Sequence, residues 1–268
     1  MKRILITGGS GYIGQSLCRY LQRFPDKYSV NTISLHGTDW QWQSFSEYDA
    51  VVHAAGLAHM RENRKNAALY PVINRDLTLK TAQKAQMDGV HQFLFLSSMS
   101  VYGMTEGCIT RDTVPHPKTL YGKSKLEAEE LLLQMETPKF HVAIFRPPMV
   151  YGENCPGNYR ALVKLAAVLP VCPDYQNRRS MISIDCLCAA LRQVIDAGCS
   201  GIFLPQDPQY ICTCRRICEI AAESGRVIPQ TKWLNFIPAL LRRLTPQGKK
   251  AFGNLVYLHE SQRSDAGL

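Results

Sequence analysis

Ile4-Leu-Ile-Thr-Gly-Gly-Ser-Gly-Tyr-Ile-Gly14 is the stretch on which the reading of this chain turns. A short apolar run ends in a glycine-rich turn, and helical spacing follows at once, with Leu17 and Leu21 on one face. Gly8 and Gly11 let the backbone turn tightly and approach a pyrophosphate. Gly14 lets the new helix pack on the strand, and the helix N-terminus offers free N–H groups to phosphates. A glycine string alone also suits an ordinary tight turn. Its place between a first strand and an amphipathic helix makes the phosphate reading much stronger.

Outward from that turn, strand-like runs at residues 3–7, 29–35, 49–54, 92–96, 141–145 and 201–204 alternate with helical patterns at 14–24, 76–86, 121–135 and 185–197. Strand and helix in alternation predict right-handed crossovers and an α/β fold with a doubly wound parallel sheet. Ligands of such sheets sit beyond the carboxyl ends of the strands. The end of the second strand, Ile33-Ser-Leu-His-Gly-Thr-Asp39-Trp40, lacks the usual acid for a ribose 2′-hydroxyl and an Arg for a 2′-phosphate. NAD and NADP both stay open there. The stretch from Leu35 to Asp49 is too short for a further helix and strand.

The 268 residues, 46% hydrophobic and 20% charged, suit one large domain or a domain with a small appendage. No apolar run reaches the roughly 20 residues of a membrane span, and no signal region follows Met1, so a cytoplasmic protein is expected. The ten cysteines lack the paired spacing or histidines of a zinc site and read as buried, reduced thiols with no metal. A net charge of +9 fits steering of an anionic substrate, and no nucleic-acid motif accompanies it. The stripe Trp233-Leu-Asn-Phe-Ile-Pro-Ala-Leu-Leu-Arg-Arg-Leu244 fits either a basic membrane-surface helix or a helix packed on its own domain, and packing is the favoured expectation.

Tyr121-Gly-Lys-Ser-Lys125 sets a phenol and an ammonium four residues apart on one helix face. A phenol near pKa ~10 is a poor base at neutral pH, and a nearby ammonium is expected to lower it. About 20 residues upstream, Phe93-Leu-Phe-Leu-Ser-Ser98 carries hydroxyls to the end of a buried strand, where Ser98 is placed to share the proton of a reacting oxygen with Tyr121.

Together with Asp49-Ala-Val-Val-His-Ala-Ala55, Asn74, Val101-Tyr-Gly103 and Arg146-Pro-Pro-Met-Val-Tyr-Gly152, these motifs come in the order of the extended short-chain dehydrogenases. The chain resembles their nucleotide-sugar epimerase/dehydratase group, especially UDP-sugar 4-epimerases and 4-keto reductases of bacterial polysaccharide clusters. The resemblance implies a Rossmann-type sheet, with residues 1–150 and a returning piece at 182–205 binding NAD(P), and residues 151–268 forming a small substrate-binding subdomain.

It gives Ser98, Tyr121 and Lys125 the catalytic places, Lys125 also reaching the nicotinamide ribose. It assigns the cofactor to Gly8, Gly11, Tyr12, Ile13, Gly14, Asp39, Trp40, Ala54, Ala55, Asn74, Tyr121, Lys125 and Pro148, with Asp39 and Trp40 at the adenine. Arg179 and Asn158, with Ser98, are its substrate residues, and Arg179 is matched to the diphosphate-gripping arginine.

Met99 and Ser100 stand where sugar-nucleotide dehydratases carry an Asp-Glu pair, which argues against dehydration. The implied activity is a 4-epimerase of a UDP-hexose or UDP-N-acetylhexosamine with bound NAD. A 4-keto reductase using NAD(P)H is the alternative, and a non-catalytic nucleotide-binding relative the third. A homodimer through the helices at 76–86 and 121–135 is also implied.

Overall fold

Val51, Val52, Phe93, Leu94, Ala143 and Ile144 belong to strands that are apolar on both faces, which only a sheet covered on both sides can bury. In the computed structural model, which describes residues 1–58, 60 and 62–258, these strands form one parallel sheet. Its six strands lie in the order Gly201–Phe203, His141–Phe145, Gln92–Leu96, Ala50–His53, Lys2–Thr7, Tyr28–Ile33. Leu5, Val51, Phe93, Phe95, Val142 and Ile144 point to one face and share a core with Ala82, Ala85, Ala128 and Leu132. The opposite parity, including Ile4, Ile6, Val52, Leu94 and Phe145, is equally buried.

Register brings Thr7 beside His53 and His53 beside Phe95, so the strand ends that carry the motifs are level. The crossover helices Tyr12–Leu21, Leu77–Met87, Leu120–Leu133 and Ile184–Ala197 lie within two residues of the expected starts. Between Ile33 and Ala50 there is only a 3-10 turn, Asp39–Trp42. The usual doubly wound order sets another strand outside the second one. Here Tyr28–Ile33 is the edge.

The chain divides into two units. The first holds residues 1–103, 115–148 and 183–205, and the second holds 104–114, 149–182 and 206–268. Residues 104–114 were expected in the nucleotide-binding part. They belong to the second unit because Gly107–Ile109 pairs with Leu255–Tyr257 there. That unit adds the helices Asn158–Val168, Thr213–Glu223, Phe236–Leu244 and Pro246–Phe252, of which the first and the last escaped the sequence reading.

Two further expectations need correction. All ten cysteines are free thiols, but Cys108 and Cys186 are exposed rather than packed inside. The Phe236–Leu244 helix buries only Pro238, so its apolar stripe is not packed on its own domain. No helix among the described residues is long and apolar enough to cross a membrane.

Candidate active site

The glycine turn is shaped by close approach. Gly8 adopts φ +71°, and a Cβ there would stand 2.6 Å from the Ala55 nitrogen. A Cβ on Gly14 would stand 2.4 Å from the Gly8 carbonyl oxygen, so that helix start cannot carry a side chain. Gly9, which the sequence reading passed over, lies so close to Thr32 that a Cβ would meet its side chain at 2.7 Å. Gly11 caps the Tyr12–Leu21 helix with no side-chain hydrogen bond, and no acid occupies the first turn. The first-turn N–H groups thus lack an internal acceptor and lie where the helix dipole is positive. A pyrophosphate fits that cradle, and Gly8, Gly11, Tyr12, Ile13 and Gly14 are the residues that would surround it.

Ala54 and Ala55 face this turn from the end of the third strand. The loop beyond them is pinned by Asn74, whose Oδ1 accepts from Leu57 N–H at 2.6 Å. Its Nδ2 donates to the Leu57 carbonyl and to Ser124 Oγ, each at 3.1 Å. Asn74 is fully buried and its amide is committed to these partners. Asn74 thereby positions this loop.

His53 is the second buried support. Thr78 Oγ1 donates its proton to the Asn74 carbonyl at 2.9 Å, so it accepts from His53 Nε2–H at 3.0 Å. Nδ1 therefore lacks a proton and accepts from the Thr7 hydroxyl at 2.9 Å. Burial, with Lys125 nearby, lowers the His53 pKa to about 3, so the ring stays neutral.

The structure brings Ser98 near Tyr121, where the serine hydroxyl favours the phenolate. Ser98 is delivered by the Gln92–Leu96 strand and caps the 3-10 turn Met99–Tyr102, accepting from Ser100 N–H at 3.1 Å. Tyr121 lies in the first turn of the Leu120–Leu133 helix, capped by Thr119. Lys125, one turn later, is buried and donates to the Leu96 carbonyl at 2.8 Å, over the Phe95 ring at 4.5 Å.

The expected acidification of Tyr121 by Lys125 is not what this geometry gives. Burial pushes the phenol up to about 12, and the Ser98 hydroxyl is the group that opposes the rise. Burial also lowers Lys125 to about 7, because its ammonium lies in an apolar wall with a carbonyl as acceptor. Burial thus disfavours the charged form of both groups.

Glu129 and Arg146 escaped the sequence reading as members of the site. Glu129 continues the Tyr121–Lys125 face by one turn, and a carboxylate on a core-facing row must find a cation. It accepts from Arg146 and from the Ser97 hydroxyl, while Arg146 Nη1 donates to the Tyr102 hydroxyl at 2.8 Å. This network ties the strand ends flanking Ser98 to the Tyr121 helix.

The remaining candidates are spread more widely. Pro148 is buried beyond the His141–Phe145 strand. Asp39 is exposed, but Trp40 is only 3% exposed and packs in the core with Phe45. Its ring is a core group. In the second unit Arg179 is buried and donates to the Gly253 carbonyl at 3.0 Å. Burial lowers it to about 10, the mark of a cation short of a counter-ion. Asn158 is exposed at the start of its helix, after Gly157. No cluster of metal ligands occurs among the described residues.

Comparisons agree with this geometry. Residues 4–198 match the model of the NAD dependent epimerase/dehydratase family. A UDP-glucose 4-epimerase of Vibrio cholerae is 30% identical over 248 residues, spanning 82% of this chain and 75% of the relative. The structure superposes on a UDP-glucuronic acid 4-epimerase of Bacillus cereus in complex with NAD, with TM-score 0.70, 20% identity and 85% of each chain covered. It also superposes on a dTDP-4-dehydrorhamnose reductase of Bacillus anthracis in complex with NADP, with TM-score 0.73, 16% identity, and 100% and 94% of the two chains covered. A glycine cradle, a Ser98–Tyr121 pair and a buried Lys125 on a parallel sheet, with the match over residues 4–198, place the chain in the NAD dependent epimerase/dehydratase family.

Proposed function

We propose that this NAD(P)-dependent enzyme is a nucleotide-sugar 4-epimerase acting on a UDP-hexose or UDP-N-acetylhexosamine. The observation that carries the reading is Ser98 beside Tyr121, with buried Lys125 one turn further on and the glycine cradle on the same unit. When bound, the nicotinamide supplies the acceptor and then the donor of the hydride.

The chain's own residues manage the proton. Tyr121, as its phenolate, takes the proton of the sugar 4-hydroxyl while the C4–H bond breaks, leaving a 4-keto sugar. Ser98 hydrogen-bonds the same oxygen and favours the phenolate before the proton is taken. Once the keto sugar has turned over, Tyr121 returns the proton to the C4 oxygen as hydride reaches the other face of C4, and the new C–H bond gives the opposite configuration. Lys125 supplies positive charge and a donor for the nicotinamide ribose. Met99 and Ser100, which follow Ser98, bring no carboxylate to perform an elimination. Arg179 and Asn158 are proposed to hold the diphosphate, and the second unit to form the substrate subdomain.

Proton NMR of UDP-glucose, UDP-galactose and their N-acetyl forms with the enzyme and trace NAD tests this. A new anomeric signal without net cofactor consumption, lost in Tyr121→Phe, supports epimerisation. Silence across the panel, with NAD(P)H oxidised by a UDP-4-keto-6-deoxy sugar, replaces it by one-way reduction at the same three residues.

A further inference from the structure

The Phe236–Leu244 helix of the second unit leaves its apolar side in solvent. Phe236, Leu240 and Leu244 are 63%, 52% and 67% exposed, and Trp233, on the preceding 3-10 turn, is 89% exposed. At helical spacing Phe236, Ile237, Leu240 and Leu244 fall within an arc of about 100°. The stripe is held outward by its hairpin. The following helix, Pro246–Phe252, crosses so closely that a Cβ on Gly248 would stand 1.9 Å from the Leu241 carbonyl oxygen. Pro238 is the buried face.

Charge selects the occupant. Residues 224–258 contain Arg226, Lys232, Arg242, Arg243, Lys249 and Lys250 and no Asp or Glu. Arg242 is ion-paired with Glu106, and Arg226 donates to the Ala166 carbonyl. Lys232, Arg243 and Lys249 are exposed around the stripe. A second copy docked face to face would set like charges against one another. An anionic lipid surface satisfies both features: its acyl boundary takes Phe236, Leu240 and Leu244, its headgroups take the cations, and Trp233 suits the headgroup level.

We propose that the Trp233–Leu244 face is a peripheral docking surface for an anionic bilayer. It does not depend on which sugar the enzyme turns over. The test is sedimentation of the full chain with phosphatidylcholine vesicles, with and without phosphatidylglycerol, while tryptophan fluorescence is followed in a Trp42→Phe background, where buried Trp40 gives a constant signal beside Trp233. Binding should be at least about tenfold stronger to the anionic vesicles, with a blue shift of Trp233. It should be released at about 0.5 M salt, where screening shrinks to a few ångströms. Phe236→Asp with Leu240→Asp should abolish it without moving the thermal unfolding transition, since both side chains are exposed. Lys232→Glu with Arg243→Glu should weaken it while leaving the apolar stripe whole. Failure to bind anionic vesicles at low salt overturns the proposal. So does a concentration-dependent dimer that the Phe236→Asp, Leu240→Asp protein no longer forms, because the stripe would then belong to a second copy.

Discussion

Arg146 and Glu129 form an ion pair that solvent barely reaches, the guanidinium Nε lying 3.1 Å from each carboxylate oxygen. Its partners, the Ser97 and Tyr102 hydroxyls, bracket Ser98 in sequence. The pair therefore joins the strand end that presents Ser98 to the helix that presents Tyr121, and catalytic geometry is coupled to a buried charge balance.

Glu129→Gln should unpair that arginine inside the protein. Removing one partner of a buried pair costs about 3–5 kcal/mol, because the other charge is stranded in low dielectric. Urea unfolding should show a lower midpoint at an unchanged slope. Arg146→Met added to Glu129→Gln should restore part of the loss. A loss under about 1 kcal/mol would place the pair among surface-like bridges.

His53 makes stability depend on pH. Its folded pKa, about 3, lies below the unfolded value of 6.5. Between these values the unfolded chain binds a proton that the folded chain refuses. Stability from this group is present above pH 6.5 and is lost as pH falls toward 3, at up to about 1.4 kcal/mol per pH unit. Denaturation measured from pH 6.5 to 5 should show this slope, and His53→Asn should reduce it by one proton.

Ser98→Ala should raise the pKa of Tyr121 further, because the serine hydroxyl opposes the effect of burial. The ascending limb of kcat against pH should move to higher pH, and kcat should fall roughly 10–100-fold at neutrality. A lower kcat with an unmoved limb would mean that Ser98 orients the substrate without tuning the phenol.

Gly14→Ala should abolish tight nucleotide binding. The new methyl has nowhere to go: its Cβ would stand 2.4 Å from the Gly8 carbonyl oxygen and force the turn apart. Calorimetric titration with NAD should show affinity down by more than about tenfold, each tenfold being about 1.4 kcal/mol. Unaltered binding would show that the phosphates do not rest on this turn.

Local spacing made the sheet legible. The runs at Gln92–Leu96 and His141–Phe145 match the observed strands residue for residue, since a short unbroken apolar run is a property of the sequence itself. Ser98, Tyr121 and Lys125 were visible for the same reason: a strand end and a four-residue helical step need no knowledge of the rest of the chain. Tertiary structure alone decided what surrounds them. Trp40 became core and Asn74 a loop anchor because burial depends on which distant segments arrive. Lys125 turned to the Leu96 carbonyl, and Glu129 found Arg146, 17 residues away. The Phe236–Leu244 stripe shows the limit most directly: periodicity says that one face of a helix is apolar, and only the packed molecule says whether anything covers it.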